Sequence, residues 1–357
     1  MRSAALRLVE NDPPTILSVA TAVPRYRMTQ ADVAIAAAQV FDRELSDIER
    51  LMPVFDNAGV TERYSSVPMD WYFRPHGWRE RNRLYLENAV ELLTSAATDA
   101  LAQAGRKPDD IAAVVVVSTT GIATPSLDAM LLNRMNLPPS IVRLPIFGLG
   151  CAGGVIGLSH AAALARTVPE GDVLFLAVEL CSTTFRRTDM SKSNIIGAAL
   201  FGDGAAATVI GRPGSQGLRL GPSGMHTWPD SLGVMGWEVE DDGLGVLFSR
   251  DIPTLVREEM RPAAETFLAR CGLTARDLAG YVCHPGGVKV LDALEQAFGL
   301  APGTMVEARQ ILREYGNMSA VTVLFVLQRI MQRGLAGRHL MSALGPGFSV
   351  GFQIIEG

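Results

Sequence analysis

The stretch LAQAGRKPDDIAAV, from Leu101 to Val114, aligns without a gap with LARCGLTARDLAGY, from Leu268 to Tyr281, at an offset of 167 residues. Each contains the end of an amphipathic helix, a glycine that ends it, a polar turn and the start of an apolar strand. Further along, Gly150-Cys151 precedes one apolar helix and Gly316-Asn317 precedes another, at an offset of 166. Two strands follow each of these helices. Three correspondences in the same order indicate that the chain contains an internal duplication.

The apolar runs between the helices predict the fold class. Val114 to Val117 is a run of valines, which is typical of a strand buried on both faces of a sheet. Alternation of such strands with helices predicts an α/β protein. We therefore expect two similar α/β halves, residues 1–212 and 213–357, that meet at the turn-rich segment 211–217. The two apolar helices are expected to lie in the middle, between sheets.

Composition and charge exclude several classes of protein. Of the 357 residues, 48% are hydrophobic and 19% are charged, which predicts a large core and argues against disorder. A net charge of −5 argues against nucleic acid as a partner. The most apolar stretch, 141–165, contains Arg143 and His160, so no membrane span is expected. Met1 to Glu10 lacks the apolar core of a secretion signal, which favours a cytoplasmic location.

The spacing of the four cysteines matches neither a disulfide framework nor a CxxC zinc pair, so no metal site is predicted. Free thiols are typical of a reducing cytoplasm. These cysteines are Cys151, Cys181, Cys271 and Cys283.

Cys151 is the candidate nucleophile. It lies in FGLGCAGG, between a predicted strand and a helix, where the helix dipole and free N–H groups favour a thiolate. We therefore expect a depressed pKa for this thiol. A buried, inert cysteine is the alternative. The same glycines also form a GxGxxG pattern, but no ribose-binding acid follows at the spacing that a dinucleotide site requires.

His284 and Asn317 are the other two candidate catalytic residues. His284 follows a buried strand in YVCHPGG, and strand ends are where α/β proteins place catalytic groups. Asn317, in EYGNMSA, corresponds to Cys151 in the duplication, although Asn is also a common helix N-cap. A thiol can accept an acyl group, while an imidazole and an amide can stabilise a thioester enolate. The three residues together predict acyl transfer followed by carbanion formation.

Five motifs resemble one family, the type III polyketide synthases related to chalcone synthase. The resemblance runs from about Thr15 to the C-terminus. It implies a duplicated thiolase fold, layered α-β-α-β-α, and a homodimer. It also implies that the cysteine carries the growing chain while the histidine and asparagine promote decarboxylation of malonyl-CoA. The motifs are GCAGG at Cys151, ALFGDGAAA at 199–207, CHPGG at His284, GNMSA at Asn317 and LGPGFSVG at 344–351.

The resemblance also implies residues that bind the substrate. Phe201 matches a phenylalanine that gates the junction of CoA tunnel and cavity, and Val246 occupies the position of a second, larger gate residue. The loop Gly345-Pro346-Gly347 shapes the cavity, and Thr124 falls where the family lines it. Most basic residues that bind CoA in plant members are replaced, which leaves Arg63 as a candidate contact.

The expected activity is repeated decarboxylative condensation of malonyl-CoA onto an acyl-CoA starter, without a further cofactor. The segments 71–89 and 121–129 resemble bacterial members that make alkylresorcinols or alkylpyrones from fatty acyl starters. Two alternatives stay open: a member that makes small aromatic products from malonyl-CoA alone, and a single-condensation enzyme like ketoacyl-ACP synthase III. The latter usually carries HQAN, whereas this chain has HPGG at His284.

Overall fold

The computed structural model describes residues 12–41, 52–168 and 170–357. The segment Met1 to Glu10, for which no secretion signal is predicted, lies outside these ranges. Within them the chain alternates strands and helices, as expected of an α/β protein. The strands are β1 (Thr15–Ala22), β2 (Tyr26–Thr29), β3 (Glu62–Ser65), β4 (Ile111–Val117), β5 (Val142–Ile146), β6 (Asp172–Leu180), β7 (Asp203–Gly211), β8 (Leu218–Thr227), β9 (Met235–Glu240), β10 (Gly243–Phe248), β11 (Gly280–Cys283), β12 (Arg338–Gly345) and β13 (Ser349–Glu356).

The helices surround and separate these strands. Their residues follow the apolar periodicity of the sequence, and two of them, Trp78–Ala104 and Val288–Phe298, end at a glycine in the left-handed conformation, Gly105 and Gly299. The helices are α1 (Gln30–Val40), α2 (Pro53–Asn57), α3 (Trp78–Ala104), α4 (Leu127–Met135), α5 (Gly153–Thr167), α6 (Lys192–Leu200), α7 (Ile252–Arg270), α8 (Val288–Phe298), α9 (Val306–Tyr315) and α10 (Thr322–Gln332).

The order of the strands in the main sheet reflects the internal duplication of the sequence. The main sheet runs β11-β12-β13-β8-β1-β7-β6-β4-β5. In one part β4 is parallel to β6, which is antiparallel to β7, which is antiparallel to β1. In the other part β11, β12, β13 and β8 make the same succession of parallel and antiparallel pairs. Among the described residues, the strands of the two parts pair with each other where Thr15 and Ile16 of β1 lie opposite Arg219 and Leu218 of β8.

The layered arrangement expected of a thiolase fold is confirmed. Helix α5 contacts β4, β6 and β7 of the first part and also β8, β12 and β13 of the second, so it lies between them. Helix α10 contacts α5 there. Helix α3 covers the outer face of β1, β7 and β6, while α7 lies outside the second part, against β8 and α8. No helix among the described residues is long and apolar enough to cross a membrane.

The starts of the two central helices differ from expectation. Cys151 lies in a 3-10 turn, Gly150–Ala152, that precedes α5, and a second 3-10 turn, Ser319–Val321, precedes α10. Asn317 is therefore not the N-cap of α10. The two turns contact each other, and a methyl group built at Gly154 would lie 2.2 Å from the Ala320 carbonyl oxygen. This close approach brings both helix beginnings, and the residues before them, to one place.

Candidate active site

Cys151 is held at the junction of the two parts of the fold. Its side chain is 9% exposed. The loop after β12 packs directly on its turn: a methyl group at Gly345 would lie 2.4 Å from the Leu149 carbonyl oxygen, and one at Gly150 would lie 2.6 Å from Cδ of Pro346. Only glycine fits at these two contacts. The Gly345-Pro346-Gly347 loop therefore forms part of the wall around the thiol.

Asn317 makes hydrogen bonds that connect it to the segments carrying His284 and Cys151. Its Oδ1 accepts a hydrogen bond from the Ser319 N–H at 2.8 Å, and its Nδ2 donates to the Gly286 carbonyl at 3.3 Å. Gly286 in turn donates its N–H to the His284 carbonyl at 3.1 Å. The Asn317 side chain also lies within hydrogen-bonding reach of the Cys151 thiol. The structure thus brings the three predicted residues to one site, linked through Asn317.

His284 is buried and has no fixed partner for its ring. It follows β11, and its N–H is held by the Ser342 carbonyl at 2.9 Å. Neither Nδ1 nor Nε2 has a hydrogen-bond partner among the described residues. Burial lowers the pKa of the His284 imidazole to about 3. The ring is therefore neutral at ordinary pH, with one nitrogen available to donate a hydrogen bond and one to accept a proton.

The expected depressed pKa of Cys151 is wrong for the chain without substrate. Burial raises the pKa of the thiol to about 12, and hydrogen bonds from Ser319 and Asn317 only partly offset the rise. The prediction rested on the helix terminus, whose effect burial outweighs, and the neutral imidazole of His284 supplies no positive charge that would favour a thiolate. A thiolate at this site therefore requires a proton acceptor at the moment of reaction.

A buried carboxylate beside the site was not predicted from the sequence. Glu179, at the end of β6, is fully buried. It accepts hydrogen bonds from the Thr119 N–H at 3.0 Å, the Thr120 hydroxyl at 2.9 Å and the Ser319 hydroxyl at 3.2 Å. Burial raises its pKa to about 7. Glu179 orients Ser319, the residue that also reaches the Cys151 thiol, and nothing in the local sequence marks this long-range contact.

Glu179→Gln is expected to change how stability depends on pH. Between the ordinary glutamate pKa of 4.5 and the folded value of about 7, the folded chain binds one more proton than the unfolded chain. Glu179 therefore makes the folded protein less stable as the pH rises through this range. Glutamine does not titrate, so it removes this loss of stability while keeping one acceptor oxygen. Thermal unfolding of both proteins at pH 5 and pH 7.5 tests this prediction. The melting temperature of the variant minus that of the wild type should be larger at pH 7.5 than at pH 5. An equal difference at both pH values, or the same trend in exposed Glu258→Gln, would contradict this.

Phe201 lies beside the site at the end of α6. Its backbone pairs with Asn317: Gly202 N–H donates to the Asn317 carbonyl at 3.0 Å, and Asn317 N–H donates to the Leu200 carbonyl at 2.9 Å. The Phe201 ring lies 5.7 Å, between centroids, from the ring of Phe248. Phe201 is thus placed between Asn317 and the cavity described next.

A cavity of about 70 Å³ opens on the other side of Phe201. Its walls are mainly apolar and come from α1, from the 3-10 turn Met69–Phe73 and from the segment 181–185. Cys181 and Val246 also line it, and Val246 is one of the residues predicted to bind substrate.

Val246, which is smaller than the gate residue expected at its position, leaves space that Trp237 partly fills. In the β9–β10 hairpin Val246 lies directly opposite Trp237, so both side chains point to the same face. The Trp237 ring lies 6.3 Å, between centroids, from that of Phe201. The space that a small residue at position 246 leaves is therefore reduced by the indole across the hairpin.

Arg63 is wrongly predicted as a contact of CoA. Its side chain is 4% exposed, and its guanidinium donates to the carbonyls of Ala198 at 2.8 Å, Ala199 at 2.6 Å and Phe201 at 2.8 Å. These carbonyls end α6, where a cation is favourable. Burial lowers the pKa of Arg63 to about 10, so the side chain stays charged. With these donors occupied, Arg63 positions Phe201 instead of binding a phosphate at the surface.

Thr124, which the resemblance places in the cavity lining, is exposed, and its contact with substrate stays a prediction. It lies on the loop between β4 and α4, before the cis peptide bond Thr124–Pro125, and its side chain is exposed. It does not line the cavity beside Phe201. The two threonines that reach the site are Thr119 and Thr120, which bind Glu179.

Comparison with known proteins supports the family that the motifs and the geometry indicate. The N-terminal domain of the chalcone and stilbene synthases matches residues 4–213, and the C-terminal domain matches residues 222–356. The chain belongs to the chalcone and stilbene synthase family. It is a type III polyketide synthase, an enzyme of the acyltransferase class that uses CoA thioesters.

Relatives of this type III polyketide synthase are similar along nearly their whole length. A chalcone synthase-like protein of Bacillus subtilis (strain 168) is 39% identical over 94% of this chain and 96% of its own. The 1,3,6,8-tetrahydroxynaphthalene synthase of Streptomyces peucetius subsp. caesius is 35% identical over 96% and 93%. The crystal structure of 1,3,6,8-tetrahydroxynaphthalene synthase from Streptomyces coelicolor A3(2) superposes with a TM-score of 0.90 at 28% identity, covering 96% of this chain and 98% of that one.

Proposed function

We propose that this polyketide synthase loads a fatty acyl group onto Cys151, extends it with malonyl-CoA and cyclises the product to an alkylresorcinol or an alkylpyrone. The observation that carries the proposal is the mainly apolar lining of the cavity beside Phe201. An apolar chain gains about 0.8 kcal/mol for each methylene group that it buries. A lining of this kind therefore favours an alkyl starter over a small polar one.

The first step is acyl transfer to the thiol. The Cys151 sulfur attacks the thioester carbon of the acyl-CoA, and its proton passes to the unpartnered imidazole of His284. A new S–C bond forms, the bond between the acyl carbon and the CoA sulfur breaks, and CoA leaves with the proton. Proton transfer at the moment of attack fits a site in which burial disfavours both the free thiolate and the free imidazolium.

The second step is decarboxylation of malonyl-CoA. The bond from the α-carbon to the carboxylate breaks, carbon dioxide leaves, and the electron pair forms an enolate on the thioester. An N–H of neutral His284 and the Nδ2 group of Asn317 would donate to the enolate oxygen. Nδ2 makes a long bond, 3.3 Å, to the Gly286 carbonyl and also lies within reach of the Cys151 thiol, so it can be redirected to the enolate oxygen.

The third step joins the two units. The enolate carbon attacks the acyl carbon on Cys151, and the sulfur of Cys151 is released as the new carbon–carbon bond forms. The lengthened chain, now on CoA, returns to Cys151 for the next addition. Phe201 lies between Asn317 and the cavity, which suits a residue that guides the alkyl part away from the reacting carbons.

A member that makes small aromatic products from malonyl-CoA alone is the second candidate. A specific observation favours it, because a relative that is 35% identical is a 1,3,6,8-tetrahydroxynaphthalene synthase. The Trp237 indole near Phe201 also restricts the space there. The two candidates differ in whether an alkyl chain occupies the cavity.

A starter panel tests the proposal. The purified enzyme is incubated with labelled malonyl-CoA and acyl-CoA starters of two to eighteen carbons, and products are identified by mass spectrometry. We expect tri- and tetraketides from long starters. Aromatic products formed equally well without any starter would establish the second candidate. Condensation only with an acyl-carrier-protein thioester would overturn both.

We also propose that the enzyme is a homodimer that pairs through β5. This strand bonds to β4 alone among the described strands, so its other edge is open. Large apolar side chains are exposed around that edge: Val142 is 46% exposed, Phe147 62% and Ile122 47%. An open apolar edge is a surface on which a second copy can add its own strand. We expect a dimer mass by light scattering, and a monomer for Phe147→Glu; a monomeric wild type at micromolar concentration would contradict the proposal.

We also propose a cytoplasmic location and a division of the chain into two halves. A cytoplasmic location is supported by the four cysteines, which are all free thiols. The division into residues 1–212 and 213–357 is supported by the sheet, because only two pairs of residues connect β1 to β8.

A further inference from the structure

The β9–β10 hairpin lies beside the cavity but outside the main sheet. Among the described strands, β9 and β10 pair only with each other. A hairpin of two strands is marginally stable by itself, so its position depends on the contacts that its side chains make with other elements. Val246 of this hairpin lines the cavity, and the ring of Trp237, opposite it, lies 6.3 Å from that of Phe201. Whatever fixes the hairpin therefore also sets the space beside Phe201.

The Arg186 guanidinium holds the turn of this hairpin. Its Nε donates to Oδ1 of Asp242 at 2.7 Å, and its Nη1 lies 3.8 Å from Oε1 of Glu240. Nη1 also donates to Oδ2 of Asp189 at 3.4 Å. A methyl group built at Gly245 would lie 3.2 Å from Nη1, so the guanidinium packs directly on β10. The Arg186 side chain is only 15% exposed, so solvent screens these ion pairs less than those at the surface.

The other end of this ion-pair network belongs to the beginning of α6. Oδ1 of Asp189 accepts a hydrogen bond from the N–H of Ser191, the N-cap of α6, at 2.8 Å. Nδ2 of Asn194 donates to the carbonyls of Arg186 and Asp189 at 2.8 and 2.7 Å. At its far end, α6 is held by the bonds from the Arg63 guanidinium to its carbonyls. Helix α6 is thus fixed at both ends without the hairpin, whereas the hairpin turn depends on Arg186.

We propose that Arg186 is a positioning residue that sets the range of acyl starters, because it fixes the hairpin against α6. Without its charge, the three carboxylates that share its guanidinium would repel one another, and the turn would move away from α6. Val246 and Trp237 move with the hairpin, so the space beside Phe201 becomes wider and less defined. The three catalytic residues lie on other elements and keep their places. This inference rests on the proposed function, since it concerns the choice of acyl starter.

The test measures kcat/KM for acyl-CoA starters of two to eighteen carbons, with malonyl-CoA as extender. The selectivity is the ratio between the best-used and the least-used starter, in which effects on the shared chemistry cancel. Arg186→Gln removes the charge, and Arg186→Lys keeps it. Asp242→Asn removes one ion pair at a turn position that is 35% exposed, so this variant should fold. Arg187→Gln is the matched control, because Arg187 is exposed, is next in the chain and takes part in none of these ion pairs.

Arg186→Gln and Asp242→Asn are expected to lower the selectivity by about tenfold, the discrimination that a well-shaped pocket gives for one methylene group. Arg186→Lys should lose less, and Arg187→Gln should lose nothing. Since both losses come from one contact, the double variant should be no less selective than Arg186→Gln alone. Release of carbon dioxide from malonyl-CoA should stay unchanged in all of them, which a general loss of structure would not allow.

Hydrogen exchange measures the hairpin itself. The amides of residues 235–248 should exchange faster in Arg186→Gln and Asp242→Asn than in Arg187→Gln, because the turn is no longer held. Unchanged exchange overturns the inference, and so does unchanged selectivity in a wild type that uses acyl starters, in which case the proposed function stands. If Arg186→Gln does not fold, Asp242→Asn decides by the same two measurements. A wild type that uses no acyl starter overturns the proposed function and this inference together.

Discussion

Cys151→Ala is expected to abolish the covalent acyl-enzyme, so that incubation with an acyl-CoA leaves the intact mass of the chain unchanged. Alanine removes the sulfur that accepts the acyl group, and no second nucleophile replaces it in the proposed mechanism. Polyketide formation should fall by about 10⁴-fold or more, as when other covalent enzymes lose their nucleophile. The fold should persist, because alanine fits the space that a buried cysteine occupies.

Cys271→Ala is the control for this variant. Cys271 follows α7 and lies away from the site, so its loss should leave both acyl loading and product formation unchanged. The mass of the acyl-enzyme is measured before and after proteolysis, which locates the adduct. An adduct that persists in Cys151→Ala, for instance on Cys181 in the cavity wall, would show that the nucleophile is misassigned.

His284→Ala and Asn317→Ala are expected to separate the two half-reactions. Each should still form the acyl-enzyme, although more slowly for His284→Ala, which also loses the proton acceptor. Each should lower the release of carbon dioxide from malonyl-CoA by about 10²–10³-fold, because one donor to the enolate oxygen is lost. Intact mass measures loading, and labelled carbon dioxide measures decarboxylation.

Two control variants test whether the loss of decarboxylation in His284→Ala is specific to that side chain. His284→Gln keeps one N–H donor and should lose less decarboxylation than His284→Ala. His160→Ala removes an exposed histidine on α5 and should change neither half-reaction. Full decarboxylation by Asn317→Ala would remove the amide from the proposed mechanism and leave it with the structural role seen in its hydrogen bond to Ser319.

Much of the fold follows from patterns that are local in the sequence. The four-valine run appears as β4, Ile111–Val117, and the strand expected before His284 appears as β11, Gly280–Cys283. Such runs are buried on both faces whatever the exact packing, so their assignment needs no knowledge of neighbours. The duplication similarly predicts that β4 and β11 occupy equivalent places, which the strand order confirms.

The errors concern properties that depend on residues distant in the chain. Arg63 looks like a free base in the sequence, but α6, more than 130 positions away, occupies its donors. The pKa of Cys151 was inferred from its helix terminus, whereas burial by the opposite half of the fold has the larger effect. Val246 was considered without Trp237, its partner across the hairpin.

The sequence by itself determined the family, the α/β duplication and the three residues that meet at the site, because each is encoded in a contiguous motif or in a constant offset. Only the tertiary structure decided how these residues behave. Glu179 and Ser319 lie 140 positions apart and meet through one hydrogen bond, and the cavity beside Phe201 is lined by residues of α1 and by Val246, which are distant in the chain. Burial, electrostatics and cavity shape depend on contacts between distant segments, and such contacts exist only in the folded chain.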